Sequence, residues 1–314
     1  MKKITSFIVL LFVLANCSYG QKVEKVFLNS VDSTTNCYLI IYPTKLPCAG
    51  FLFLIPSFGE KPEVAFNQTD LPKVAAEKGI LTIIPTFSTG VLSLGIDSLT
   101  QNSLIEILTD VTNKHQLTDH PFFIGGFSIG GSCAIKYAEM AISENLKHKP
   151  IAVFGIDPPL DFERLYNSSK RTIRLGFQSP LLGEAYYMVN RLEKEIGGSP
   201  QTALQNYYKL SPYSYSDTTQ TAIKSLIDMP IRIYSEPDIH WWINNRGSDL
   251  HEMNVLDASA MINELKILGN PKATLILTEN KGYRQPGNRR HPHSWSIVDS
   301  AELVKWLLDI SLKQ

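Results

Sequence analysis

Pro121-Phe122-Phe123-Ile124-Gly125-Gly126-Phe127-Ser128-Ile129-Gly130-Gly131-Ser132-Cys133-Ala134-Ile135-Lys136-Tyr137 decides how the rest of the chain is read. An apolar run, Pro121 to Ile124, leads into paired glycines, and a single serine stands between Gly126 and Gly130. Ile129, Cys133, Ala134, Tyr137 and Ala138 then recur at helical spacing. The pattern predicts a strand, a sharp turn and a helix, with Ser128 at the apex. Gly126 and Gly130 are small because a side chain would collide across so tight a bend. A glycine-rich loop with an incidental serine has the same five residues, so the flanking elements and distant partners carry the reading.

Outward from the turn, strand-like and helix-like runs alternate. Val23 to Leu28 and Cys37 to Tyr42 are short, β-branched and aromatic, and suit an antiparallel start. Gly50 to Pro56 and Ile80 to Pro85 are almost continuously apolar, as in strands covered on both faces. A helix between them is capped by Thr69 or Asp70, has Pro72 in its first turn, and ends at Gly79. Asp97 to His115 carries Leu99, Leu104, Ile107, Leu108 and Val111 at helical spacing. After a strand at Pro150 to Ile156 the rhythm breaks. Residues 157–228 hold helical patches, 182–196 and 201–210, and read as a helical insertion lying over the site. Strand 230–235, helix 254–268, strand 273–278 and helix 296–310 restore the alternation. This predicts an α/β fold, a mostly parallel sheet with helices on both faces, as one domain over residues 21–314.

Composition narrows the classes. The chain has 314 residues, 44% of them hydrophobic, enough to bury a large core. Thirty basic residues balance thirty acidic ones, and no basic run exceeds Arg289-Arg290, so nucleic acid is not an expected partner. Lys2 and Lys3 precede an apolar run from Ile4 to Ala15, too short to span a bilayer comfortably, and small residues follow at Ser18 and Gly20. We read residues 1–20 as a signal peptide for export to the periplasm or beyond. An alternative takes Leu14-Ala15-Asn16-Cys17 as a lipoprotein signal with Cys17 lipidated. No later segment reads as membrane-spanning. Cys37, Cys48 and Cys133 remain in the mature chain, and we expect no disulfide: Cys37 and Cys48 would not sit opposite in a hairpin, and Cys133 reads as core. No Cys/His spacing suggests zinc, and no P-loop or dinucleotide fingerprint is present.

A serine hydroxyl needs a base to take its proton and a third group to hold that base. Such groups gather outside the carboxyl ends of the strands. Asp238 follows strand 230–235, and His293 lies between the last strand and the last helix. Glu236 is an alternative acid and His291 an alternative base. Asp157-Pro158-Pro159 reads as a rigid strand exit that can line the site. Trp241 and Trp242 follow the acid loop and read equally as pocket wall or as packing.

The chain from Gly50 onward resembles the α/β-hydrolase superfamily. The resemblance rests on Gly126-Phe127-Ser128-Ile129-Gly130 at a strand-to-helix turn, Asp238 after a later strand and His293 before the last helix. It implies Ser128 as nucleophile, His293 as general base and Asp238 as orienting acid, with the Ile129 N–H as one oxyanion donor. The second donor falls in Pro56-Ser57-Phe58-Gly59, where the superfamily often shows a His-Gly pair; Phe58 is the choice and Ser57 the alternative. Cleavage of a small ester or acyl substrate without metal or organic cofactor is the expected activity. A peptidase or amidase, an acyltransferase, or a non-catalytic binding protein on the same scaffold are the other readings.

Overall fold

A computed structural model describes residues 21–28, 32, 34–45, 47–176 and 180–313. The proposed signal peptide, with Cys17, lies outside the described residues. Ten strands and ten α-helices are present among those described. Eight strands form one sheet in the order β1-β2-β4-β3-β5-β6-β7-β8: β1 (Val23–Phe27), β2 (Cys37–Ile41), β3 (Gly50–Ile55), β4 (Ile80–Thr86), β5 (Phe122–Phe127), β6 (Ala152–Ile156), β7 (Ile231–Ser235) and β8 (Ala273–Leu277). β2 runs antiparallel to both β1 and β4, and every later pairing within this sheet is parallel; the remaining two strands, Tyr283–Arg284 and Arg289–Arg290, form a separate antiparallel pair. This is the α/β architecture expected, and each strand-like run of the sequence lies in it.

The pleat divides the strands between two cores. Phe51, Phe53 and Ile55 of β3 face one side, with Leu104, Ile107, Leu108 and Val111 of α3 (Ser98–Lys114). On the same side lie α4 (Ile129–Ser143) and, later in the chain, α9 (Val255–Ile267). Leu52 and Leu54 face the other, against α1 (Pro62–Gln68), α2 (Leu71–Glu77) and the C-terminal α10 (Ser300–Ser311). Alternate residues of one apolar run thus serve opposite layers, which is why the run shows no polar positions. Leu99, placed by spacing on the α3 stripe, is 69% exposed. Five residues before Leu104, it lies roughly 140° around the helix from the buried face.

Between β6 and β7 the chain forms α5 (Phe162–Leu175), α6 (Pro180–Ile196) and α7 (Pro200–Leu210). Phe162, Tyr166, Met188, Val189, Leu192, Ile196 and Tyr207 of these helices build a third cluster with Leu94, Ile96 and Ile129. Ile129 is the residue after the turn serine, so the insertion packs directly against the apex. Strand register aligns the carboxyl ends: Ile55 lies opposite Gly126, Phe127 opposite Ile156, and Ile156 opposite Tyr234. The loops after β3, β5, β6 and β7 therefore share one rim. The three cysteines are free, and Cys133 is buried as core.

Candidate active site

Ser128 sits at φ 54°, ψ −127°, a conformation costly to a side-chain-bearing residue and held here by its surroundings. Its N–H donates to Ile156 O at 2.8 Å, and its own carbonyl accepts from Gly131 N–H at 2.9 Å. A Cβ on Gly130 would stand 2.2 Å from Ile55 O and 2.3 Å from Pro56 O, and one on Gly126 2.5 Å from Ile55 O. The turn closes only with glycine at both places, and it presses the end of β3 against the start of α4.

That approach fixes the amides beside Ser128. The Ser57 N–H is committed to Glu60 Oε2 at 3.0 Å, whereas the N–H groups of Phe58 and Ile129 have no acceptor among the described residues. The positive end of α4 adds to the field at Ile129. Of the two amides open to choice in the loop after β3, Phe58 is the one available. Burial raises the Glu60 carboxyl pKa, opposed by the Ser57 amide and by Trp295, whose Nε1 donates at 3.1 Å.

His293 lines the same cavity as Ser128, a space of about 1000 Å³. Its ring packs on Phe127 with centroids 4.5 Å apart, beside the turn. Its Nδ1 lies 2.6 Å from Asp157 Oδ2. With Nδ1–H donating to that carboxylate, Nε2 is left as an acceptor. Asp157, immediately after β6, is thus the acid that meets the histidine. Its φ is 46°, its N–H donates to Tyr234 O at 2.7 Å, and Ser235 Oγ donates to its Oδ1 at 2.5 Å. Asn254 Nδ2 donates to its carbonyl at 2.9 Å. The loop beyond is tied by Asp257, whose Oδ2 accepts from the N–H groups of Leu160 (3.0 Å) and Asp161 (3.1 Å) and from Arg164 Nη2 (2.6 Å).

Asp238, the acid expected from chain order, is not joined to His293. It caps α8 (Ile239–Arg246), its Oδ1 accepting from Trp241 N–H at 3.0 Å, while Arg290 Nη2 donates to Oδ2 at 2.7 Å. Each of its oxygens is held by a fixed donor other than His293. Glu236, the alternative, is 3% exposed and fully engaged: Lys281 and Gly282 N–H, Thr278 Oγ1 and Arg290 surround it. These carboxylates organise the loop that carries His293. The correction follows from Arg290, a residue whose reach across the rim has no local signature. The clue to Asp157 was a carboxylate ending the strand next to that of the serine, followed by two prolines.

His291 is buried with Trp241 and Trp242 rings 4.7 and 5.7 Å away. Burial, reinforced by Arg284, His293 and Arg246, pushes its pKa down to about 2, so it stays neutral and accepts from Arg246 Nη2 at 3.1 Å. It is a packing and bracing residue. Of the two tryptophans, Trp242 lines the cavity and Trp241 packs behind it on His291. Among the described residues no cluster of three or more His, Cys, Asp or Glu side chains is placed to hold a metal, and no helix is long and apolar enough to cross a membrane.

No protein-family description and no curated protein matches the sequence. Solved structures do match its shape. Esterase B from Lactobacillus rhamnosis superposes with a TM-score of 0.63 at 14% identity, over 94% of this chain and 88% of that one. Carboxyl esterase 2 from the mycorrhizal fungus Tuber melanosporum gives 0.55 at 14%, over 96% and 88%. An S-formylglutathione hydrolase from Agrobacterium tumefaciens gives 0.54 at 14%, over 92% and 94%. The chain has the α/β-hydrolase fold.

Proposed function

We propose that the protein is a serine hydrolase that cleaves carboxylic esters through an acyl-enzyme on Ser128. The observation that carries the reading is the 2.6 Å contact between His293 Nδ1 and Asp157, which leaves Nε2 as the basic nitrogen in the cavity that Ser128 lines. His293 Nε2 takes the Ser128 hydroxyl proton as Oγ bonds to the substrate carbonyl carbon. The carbonyl oxygen, now negative, is met by the N–H groups of Ile129 and Phe58. Protonated Nε2 then gives its proton to the leaving alcohol oxygen, the C–O bond breaks, and Ser128 holds the acyl group. Water, deprotonated by the same nitrogen, reverses the steps and releases the acid. Asp157 keeps the ring in the right tautomer and balances the imidazolium charge. That neighbours in fold are described as esterases favours an ester over an amide substrate.

A fluorophosphonate probe tests this. It labels the purified wild type at Ser128, and neither Ser128→Ala nor protein pre-treated with unlabelled probe. A wild type that resists the probe while a control hydrolase is labelled sinks the reading. The signal read in residues 1–20 belongs to the same proposal: the protein acts outside the cytoplasm, and its recovery wholly in a cytoplasmic fraction would contradict that.

A further inference from the structure

The arginines fall into distinct groups. Arg164, Arg171, Arg191, Arg232 and Arg290 each reach a carboxylate within 4 Å. Arg174 and Arg289 are exposed, where water solvates them. Arg246 and Arg284 are partly buried, line the cavity that holds Ser128 and His293, and have no such carboxylate among the described residues. A half-buried charge without a counter-ion is unfavourable unless a ligand supplies one.

Both guanidiniums are aimed rather than loose. Arg284 donates from Nε (3.1 Å) and Nη2 (2.8 Å) to the carbonyl of His293, which leaves Nη1 without a partner among the described residues. Arg246 is braced through Nη2 on the neutral His291, and its Nε and Nη1 are likewise unclaimed. The two cations feel one another: burial lowers the Arg284 pKa and the Arg246 charge lowers it further, while the more distant Glu60 and Glu184 charges, neither within ion-pair reach, partly offset this. Lys61 adds a third cation to the lining. All but one of the carboxylates of the lining are held by other partners. Asp157 holds His293, Glu236 holds Arg290, and Glu252 holds Arg171. Glu60 is tied to Ser57 and Trp295, and Glu184, the carboxylate of α6 that faces Arg284, is exposed to solvent.

We propose that Arg246 and Arg284 form an anion subsite beside His293, so that the ester cleaved carries a carboxylate elsewhere in the same molecule. The inference rests on the hydrolase reading of Ser128 and names its substrate class. Guanidinium forks match the planar carboxylate, and a site built to bind such a group discriminates against the analogue that lacks it. The carboxylate sits on the acyl portion, as in a monoester of a dicarboxylic acid, or on the alcohol portion, as in an acylated hydroxy acid.

Two substrate pairs separate these sources: mono-p-nitrophenyl adipate against p-nitrophenyl hexanoate, and para-acetoxybenzoate against its methyl ester. In the wild type the carboxylate member of one pair has a kcat/KM higher than its neutral partner by about tenfold or more, mostly through KM. Arg246→Gln brings that ratio close to one, Arg246→Lys keeps part of it, and fluorophosphonate labelling of Ser128 verifies that each variant is folded. Free adipate competes with the neutral ester in the wild type and loses that effect in Arg246→Gln. Neutral members preferred in both pairs, with ratios that Arg246→Gln does not move, overturn the subsite while leaving the hydrolase reading intact. Failure of the wild type to be labelled or to turn over any of the four removes the hydrolase reading and the subsite with it.

Discussion

The loop after β6 and the loop after β7 end neighbouring parallel strands and both present carboxylates to the same rim, yet only one serves His293. After β7, Arg290 takes an oxygen from each of Glu236 and Asp238, and backbone amides take the rest. After β6, Asp157 is held by one serine hydroxyl and keeps Oδ2 for the imidazole. What separates the two is how many donors each carboxylate already satisfies. Proximity to a strand end is common to both. A carboxylate that accepts from fixed donors on every side is scaffold; one with an oxygen left over can orient a base.

The largest effect expected from this contrast is on turnover. Asp157→Asn lowers kcat by on the order of 10⁴ while Asp238→Asn stays within a few-fold of wild type, measured on a neutral ester at saturation. The reverse ranking would return the acid to the β7 loop. Ser235→Ala comes next, with a loss of roughly tenfold in kcat, because an ionised acceptor loses one charge-assisted donor while its bond to His293 remains. Restoration by Ser235→Thr, which keeps the hydroxyl, distinguishes this from a packing defect. On the β7 side the cost falls on stability: Glu236→Gln leaves Arg290 and two amides under-satisfied, for about 1–3 kcal/mol in urea unfolding. An unchanged midpoint there would mean that the β7 carboxylates do not organise the loop.

The smallest effect is a pH slope. Burial, with the nearby Asp257 charge, pushes the Asp161 pKa up to about 6 from 3.8. The folded chain then keeps a proton that the unfolded chain has released. Its contribution to stability is present below about pH 4, is lost as pH rises towards 6, and is level above. Asp161→Asn flattens thermal stability across that window; an unaltered slope assigns the pH dependence elsewhere.

The sheet was readable because each strand buried on two faces is an unbroken apolar run, and Ser128 because its turn tolerates only glycine at Gly126 and Gly130. His293 followed from its place between β8 and α10. Which carboxylate meets His293 was not readable, since three carboxylates follow strand ends and the choice between them turns on Arg290, 52 residues from Asp238 in the chain. Helix α5, by contrast, carries a legible stripe, with Phe162, Leu165, Tyr166 and Ile173 at helical spacing and packed in the third cluster. Its buried positions include Arg164, Ser168 and Ser169, whose partners lie more than eighty residues on or in the backbone of the helix itself.

The packing of Ile129 has a consequence for how the protein can diversify. Its side chain belongs to the cluster built by α5, α6 and α7, apart from the two layers that sandwich the sheet. Remodelling those helices would therefore reshape one wall of the cavity and, in the same stroke, loosen the residue next to Ser128. Under the proposed hydrolase reading, selectivity and rate are mechanically linked through the seat of Ile129, so a graft that broadens what fits inside is expected to slow every substrate until that packing is rebuilt.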